Sequence, residues 1–150
     1  MGAYQTVVVG TDGSDSSYRA VDRAAQLAAD AGAKLVMLCA YHPADDREVA
    51  VAEDKLGDEA YQVVGSTPAE ETLRTAAERA AKVGADNVET HAVVGDPVKS
   101  LLKALDEHKA DLLVVGNRGL NTLAGRLLGS VPSDVSRHAR IDVLIVHTVR

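Results

Sequence analysis

Tryptophan and phenylalanine are both missing from the 150 residues, and tyrosine occurs four times. A surface that stacks nucleic-acid bases on aromatic rings has little to draw on here. One cysteine, Cys39, rules out an internal disulfide and a thiolate metal cluster. The five histidines follow neither the H-E-x-x-H nor the Cys/His spacing of zinc sites, so no tightly held, protein-liganded metal is expected. Long apolar runs are also missing. The longest, Leu35 to Tyr41, is far too short to cross a bilayer, and the N-terminal residues do not read as a signal peptide. A cytoplasmic protein without membrane contact is the expectation.

Net charge is −6, which argues against general binding to phosphate backbones. The charge is unevenly distributed. Residues 42–67 hold seven acids (Asp45, Asp46, Glu48, Glu53, Asp54, Asp58, Glu59) against Arg47 and Lys55, while Gly116 to Arg140 holds four arginines against Asp134 alone. Nucleic acid is therefore not an expected partner, but a small anion near the second segment is.

The length suits a single domain over 1–150. Along it, short apolar runs alternate with segments of helical period. Tyr4–Gly10 reads as a first strand, followed by the turn Thr11-Asp12-Gly13-Ser14 and a helix capped by Ser14 or Asp15 that runs to about Ala31. Leu35–Tyr41, apolar throughout, reads as a strand buried on both faces. Residues 44–66 have no clear period and suggest a mobile loop with one helical piece around Val49 to Leu56. A helix opens at the capping box Thr67-Pro68-Ala69-Glu70 and stops at Gly84. The strand Val88–Val94 follows, then Gly95-Asp96-Pro97 and a helix burying Val98, Leu101, Leu102 and Leu105. Leu112–Val115, a helix over Ser130–Ala139 and the strand Asp142–Thr148 complete the order. This alternation implies an α/β fold, a parallel sheet with helices on both faces.

Two loops leave carboxyl ends of strands, where ligands of such sheets bind. One is Thr11-Asp12-Gly13-Ser14. The other opens on Gly116-Asn117-Arg118-Gly119 and closes on Gly129-Ser130, between a buried strand and a helix. Glycines there bring backbone N–H groups close to an anion, and the helix N-terminus adds unpaired donors. Arg118 and Arg126 lie on the same loop, so the expected guest is a phosphate. The Walker lysine, the dinucleotide fingerprint G-x-G-x-x-G and the nucleophile elbow are all missing. The loop reads as one that holds a nucleotide rather than turning it over fast, and no catalytic residue is assigned.

Gly10-Thr11-Asp12-Gly13-Ser14 at the end of the first strand, the spacing G-x2-G-x9-G-S at Gly116, Gly119, Gly129 and Ser130, and Gly95-Asp96-Pro97 together resemble the universal stress protein family. The resemblance covers the whole chain and is nearest to the small, single-domain members that bind adenine nucleotide. It implies a five-stranded Rossmann-like sheet of order 3-2-1-4-5 and a homodimer. It places Asp12, flanked by Thr11 and Gly13, at the base and ribose, and the Ala40 backbone at the adenine. Val115 and Gly116, with Asn117 and Arg118 after them, fall beside the ribose and the phosphate loop, and Gly119, Gly129, Ser130 and Val131 hold phosphate. The implied ligand is ATP carrying Mg²⁺, or cAMP without metal, in a sensor, buffer or regulator. A slow ATPase or autophosphorylating switch and a nucleotide-independent interaction protein remain as alternatives. This sequence departs from the family pattern at Asn117, where a smaller Ser or Thr is frequent, and at Pro132, which removes one amide donor from the last helix. The apolar run Val143–Val146, if it forms a sheet edge, needs cover. The strand Asp142–Thr148 is therefore the expected homodimer contact.

Overall fold

The computed structural model describes residues 2–42, 67–117 and 130–148. Its elements are β1 (Thr6–Gly10), α1 (Asp15–Ala31), β2 (Lys34–Tyr41), α2 (Thr67–Lys82), β3 (Val88–Val94), α3 (Pro97–His108), β4 (Leu112–Gly116), α4 (Ser130–His138) and β5 (Asp142–Val146). The helical piece expected around Val49 to Leu56, the acidic connection and the loop holding Arg118, Gly119 and Gly129 fall outside the described residues.

All strand pairings are parallel, in the order β3-β2-β1-β4-β5. Alternation along each strand then builds two cores. Val7 and Val9, Leu35 and Met37, and Leu112 and Val114 face α1 and α2, whose alanines allow close packing. Val8, Val36, Leu38, Leu113 and Val115 face the other way, against Leu101 and Leu105 of α3 and Val131 and Val135 of α4. A two-charge clamp ties the first helix layer together: Arg79 Nε and Nη2 donate to the two carboxylate oxygens of Asp22 at 2.9 and 2.6 Å.

β2 and β4 each run one residue beyond the sequence expectation, to Lys34 and Gly116, and two other strand ends fall two residues short of it, each with a polar cause. β1 begins at Thr6 rather than Tyr4. The N–H groups of Gln5 and Thr6 donate to the Asp111 carboxylate at 2.9 Å each, which anchors the entry to β1 beside the entry to β4. β5 stops at Val146 rather than Thr148. His147 and Thr148 leave the strand ladder, and the Asn117 side chain takes the Thr148 amide. Helix ends follow their caps: Ser14 Oγ accepts from Ser17 N, and the Asp96 carboxylate accepts from Lys99 N.

Leu101 is fully buried where α3 meets the sheet. Leu101→Ala is expected to cost about 2–5 kcal/mol of unfolding free energy, measured by urea denaturation at constant m-value.

Candidate functional site

β1 sits between β2 and β4, and the chain builds outward from it in both directions. The order reverses between β1 and β4, so the crevice for a ligand opens at their carboxyl ends. The fold brings Thr11, Asp12 and Gly13 to one side of that crevice and Val115, Gly116 and Asn117 to the other. Ala40 stands at the end of neighbouring β2, and Ser130 and Val131 open α4. Arg118, Gly119 and Gly129 lie outside the described residues.

The turn after β1 is held by a chain of hydroxyl groups. Ser17 Oγ donates to the Ser14 carbonyl at 2.9 Å, which leaves the Thr11 hydroxyl to donate to Ser17 Oγ at 2.7 Å. Thr11 Oγ1 in turn accepts from Gly13 N at 3.2 Å, and Ser17 Oγ accepts from Asp12 N at 3.3 Å. Asp12 Oδ1 accepts from Ser14 N at 2.9 Å, an Asx turn. Each backbone donor from Asp12 to Ser14 is thus occupied by a side chain of the same turn. What this side of the crevice offers a ligand is the half-buried Asp12 carboxylate, an acceptor with lone pairs to spare. That suits a hydroxyl or amino group and repels phosphate.

Gly13 makes the turn feasible. Its φ is +85°, and a Cβ there would lie 2.9 Å from Thr72 Oγ1 on α2. Gly116 has a different reason to be glycine. A Cβ would come within 3.3 Å of Thr148 Cγ2, so the missing side chain lets Thr148 close over the end of β4.

Asn117 governs that closure. Its Oδ1 accepts from both Thr148 N and Thr148 Oγ1 at 2.8 Å. The Ser16 hydroxyl donates to Thr148 Oγ1, and Arg19 Nη1 donates to the Thr148 carbonyl at 2.7 Å. Sequence reasoning did not single out Ser16, Ser17, Arg19, Thr72 or Thr148 as partners of the site. Only the run Ser14-Asp15-Ser16-Ser17, dense in hydroxyls at the head of a helix, hinted at them.

Cys39 borders the site from β2. It is buried, and desolvation, followed by the nearby Asp12 charge, pushes its thiol up to about 11. The thiol stays protonated at working pH and acts as a small apolar filler. On the β4 side, Val115 and Val131 are buried and contribute packing through their side chains, leaving only their main chains to meet a ligand.

An open α/β sheet with its crevice at the switch point defines the class of protein. The particular family follows from comparison: the universal stress protein family model matches residues 3–147, and the chain belongs to that family. It is 62% identical over 148 residues to the universal stress protein Rv1636 of Mycobacterium tuberculosis, covering 99% of each chain. A crystal structure of a universal stress protein in complex with cAMP superposes with a TM-score of 0.75 at 53% identity, over 99% of this chain and 100% of that one. The universal stress protein from Archaeoglobus fulgidus in complex with dAMP gives a TM-score of 0.69 at 27% identity, over 95% and 98%.

Asn117→Ala removes the one oxygen that accepts from both the amide and the hydroxyl of the buried Thr148. It is expected to lower stability by about 1–3 kcal/mol, whereas Asn117→Asp, which keeps an oxygen in place, retains most of it. Chemical denaturation of the two variants beside the parent chain measures this.

Proposed function

We propose that this chain binds an adenine nucleotide in the crevice between β1 and β4 and serves as a sensor, buffer or regulator rather than an efficient catalyst. In this reading Asp12, held by Thr11 and Gly13, accepts a hydrogen bond from the ribose or base edge. The Ala40 main chain meets the adenine, Val115 and Gly116 flank the ribose, and Arg118, Gly119, Gly129, Ser130 and Val131 surround the phosphate. Asn117 sets where that loop begins. The observation that carries the reading is the Asp12 acceptor at the end of β1, beside the exit of β4, after which the sequence is rich in glycine and arginine. Such a pairing matches a ligand with donors at one end and negative charge at the other. The cAMP complex of a family member 53% identical to this chain supports it.

In this reading the loop's sequence favours a cyclic monophosphate over a triphosphate with Mg²⁺. The monophosphate needs fewer donors, and Pro132 and the missing loop lysine reduce the number available. In calorimetric titrations cAMP is expected to bind more tightly than ATP, and with no dependence on Mg²⁺. Tighter ATP binding that requires Mg²⁺ reverses that preference, and heat from neither ligand contradicts nucleotide binding itself. Asp12→Asn keeps the Oδ1 acceptor for Ser14 N but loses the charge. It is expected to weaken nucleotide binding by about 10–100-fold while leaving the melting temperature near that of the parent chain.

The same reading includes a homodimer. β5 is an edge of the sheet, and Ile145 on it is 44% exposed. Twofold pairing of Asp142–Val146 with a second copy would cover both. Light scattering at micromolar concentration is expected to give twice the chain mass and Ile145→Lys to give the monomer; a monomeric parent chain contradicts the dimer.

A further inference from the structure

At the opposite edge of the sheet, three side chains used by neither the fold nor the nucleotide crevice converge. Glu89 and His91 are two residues apart on β3, and so lie on the same face of the strand. Their sheet partners, Val36 and Leu38, belong to the core under α3, so that face looks toward α3. His108 is the last residue of α3 and completes the group.

Glu89 Oε2 lies 3.0 Å from His91 Nε2 and 3.7 Å from His108 Nδ1. All three ligand-type atoms fall within 4.8 Å of one another. The imidazole rings are 5.1 Å apart and tilted by 44°, so neither stacks flat on the other and both direct a nitrogen at the same carboxylate oxygen. The second oxygen, Oε1, is held by Lys34 Nζ at 2.8 Å, which fixes the plane of the carboxylate. All three residues are half-buried, open enough for an ion to enter and covered enough to stay ordered.

Two imidazoles and one carboxylate are a donor set for borderline divalent metals, not for Ca²⁺ or Mg²⁺. A tetrahedral ion with bonds of about 2.0–2.1 Å needs ligand atoms roughly 3.3 Å apart, and the two short separations bracket that value. We propose that Glu89 Oε2, His91 Nε2 and His108 Nδ1 form a site for a divalent first-row transition metal ion, with Zn²⁺ as its representative. His91 and His108 also line the small cavity between β3 and α3, with Ser100, Lys103 and Glu107, and three protein ligands leave a fourth position on the ion. Water or a donor from solution takes that position. Lys34 acts as the outer partner that orients Glu89. The bound ion would join the edge strand to the end of α3, independently of any nucleotide. A bound ion there would run against the expectation of no protein-liganded metal. The pairing is hidden in the sequence because sixteen residues and a helix separate His91 from His108.

The test uses the full chain, stripped with a chelator and titrated with Zn²⁺ by calorimetry and with Co²⁺ by visible absorption. One Zn²⁺ per chain, a rise in melting temperature and the intense absorption of tetrahedral Co²⁺ are expected. His91→Ala and His108→Ala should each weaken Zn²⁺ binding by more than about tenfold. On the parent chain, the imidazole resonances of His91 and His108 should move on adding Zn²⁺ while those of His42, His138 and His147 stay in place. This holds the proposal to account even if a variant fails to fold. No binding at submillimolar Zn²⁺, affinity unchanged in both variants, or shifts confined to the other three histidines would overturn it.

Discussion

The hydroxyl relay from Thr11 through Ser17 to the Ser14 carbonyl is the interaction on which the candidate crevice depends. It joins the end of the central strand to the first turn of α1 and takes the Asp12 and Gly13 amides, while the Asp12 side chain takes that of Ser14. A turn that is already satisfied does not need a ligand to fold. It holds the Asp12 carboxylate at the switch point of the sheet, aimed by an Asx turn and close enough to Cys39 to add to the rise that burial gives its thiol. Thr11 and Ser17 are nearly inaccessible, so the relay works in a low-dielectric setting where its bonds are strong and an unpaired member would be costly.

A second polar closure, on the far side of the crevice, depends on this geometry. Ser16 and Arg19 project from the α1 turn fixed by the relay, and both reach Thr148. Thr148 is held in turn by Asn117 at the exit of β4. The glycine loop therefore starts from a residue locked to α1 and to the chain after β5. Gly116 allows that approach because a side chain there would press on Thr148. Asn117, a departure from the family pattern, finds its reason here: a shorter Ser or Thr would reach less far toward the Thr148 main chain.

Much of this was legible in the residues. Alternating apolar runs and capping signals such as Ser14 and Asp96-Pro97 fixed the order of elements. Helix starts agree closely because caps are local chemistry. Strand ends were less legible. Tyr4 and Thr148 look like strand residues by composition, yet Asp111 and Asn117, distant in sequence, claim the neighbouring amides. The same limit applies to the site. Asp12 and the glycines stand out as motifs, whereas Ser17, Thr148 and Arg19 matter through contacts that only the folded sheet creates. Glu89, His91 and His108 follow the same logic, since no metal spacing links them along the chain.

The central claim is that the carboxyl ends of β1 and β4 bind an adenine nucleotide. An amide-resolved NMR titration of the full chain with cAMP tests it most directly. The account predicts shifts at Thr11 to Ser17, Ala40, Val115 to Gly119 and Gly129 to Val131, with β3 residues Val88 to His91 unmoved. Perturbations centred on β3 and α3, or none at saturating cAMP and ATP, would contradict it.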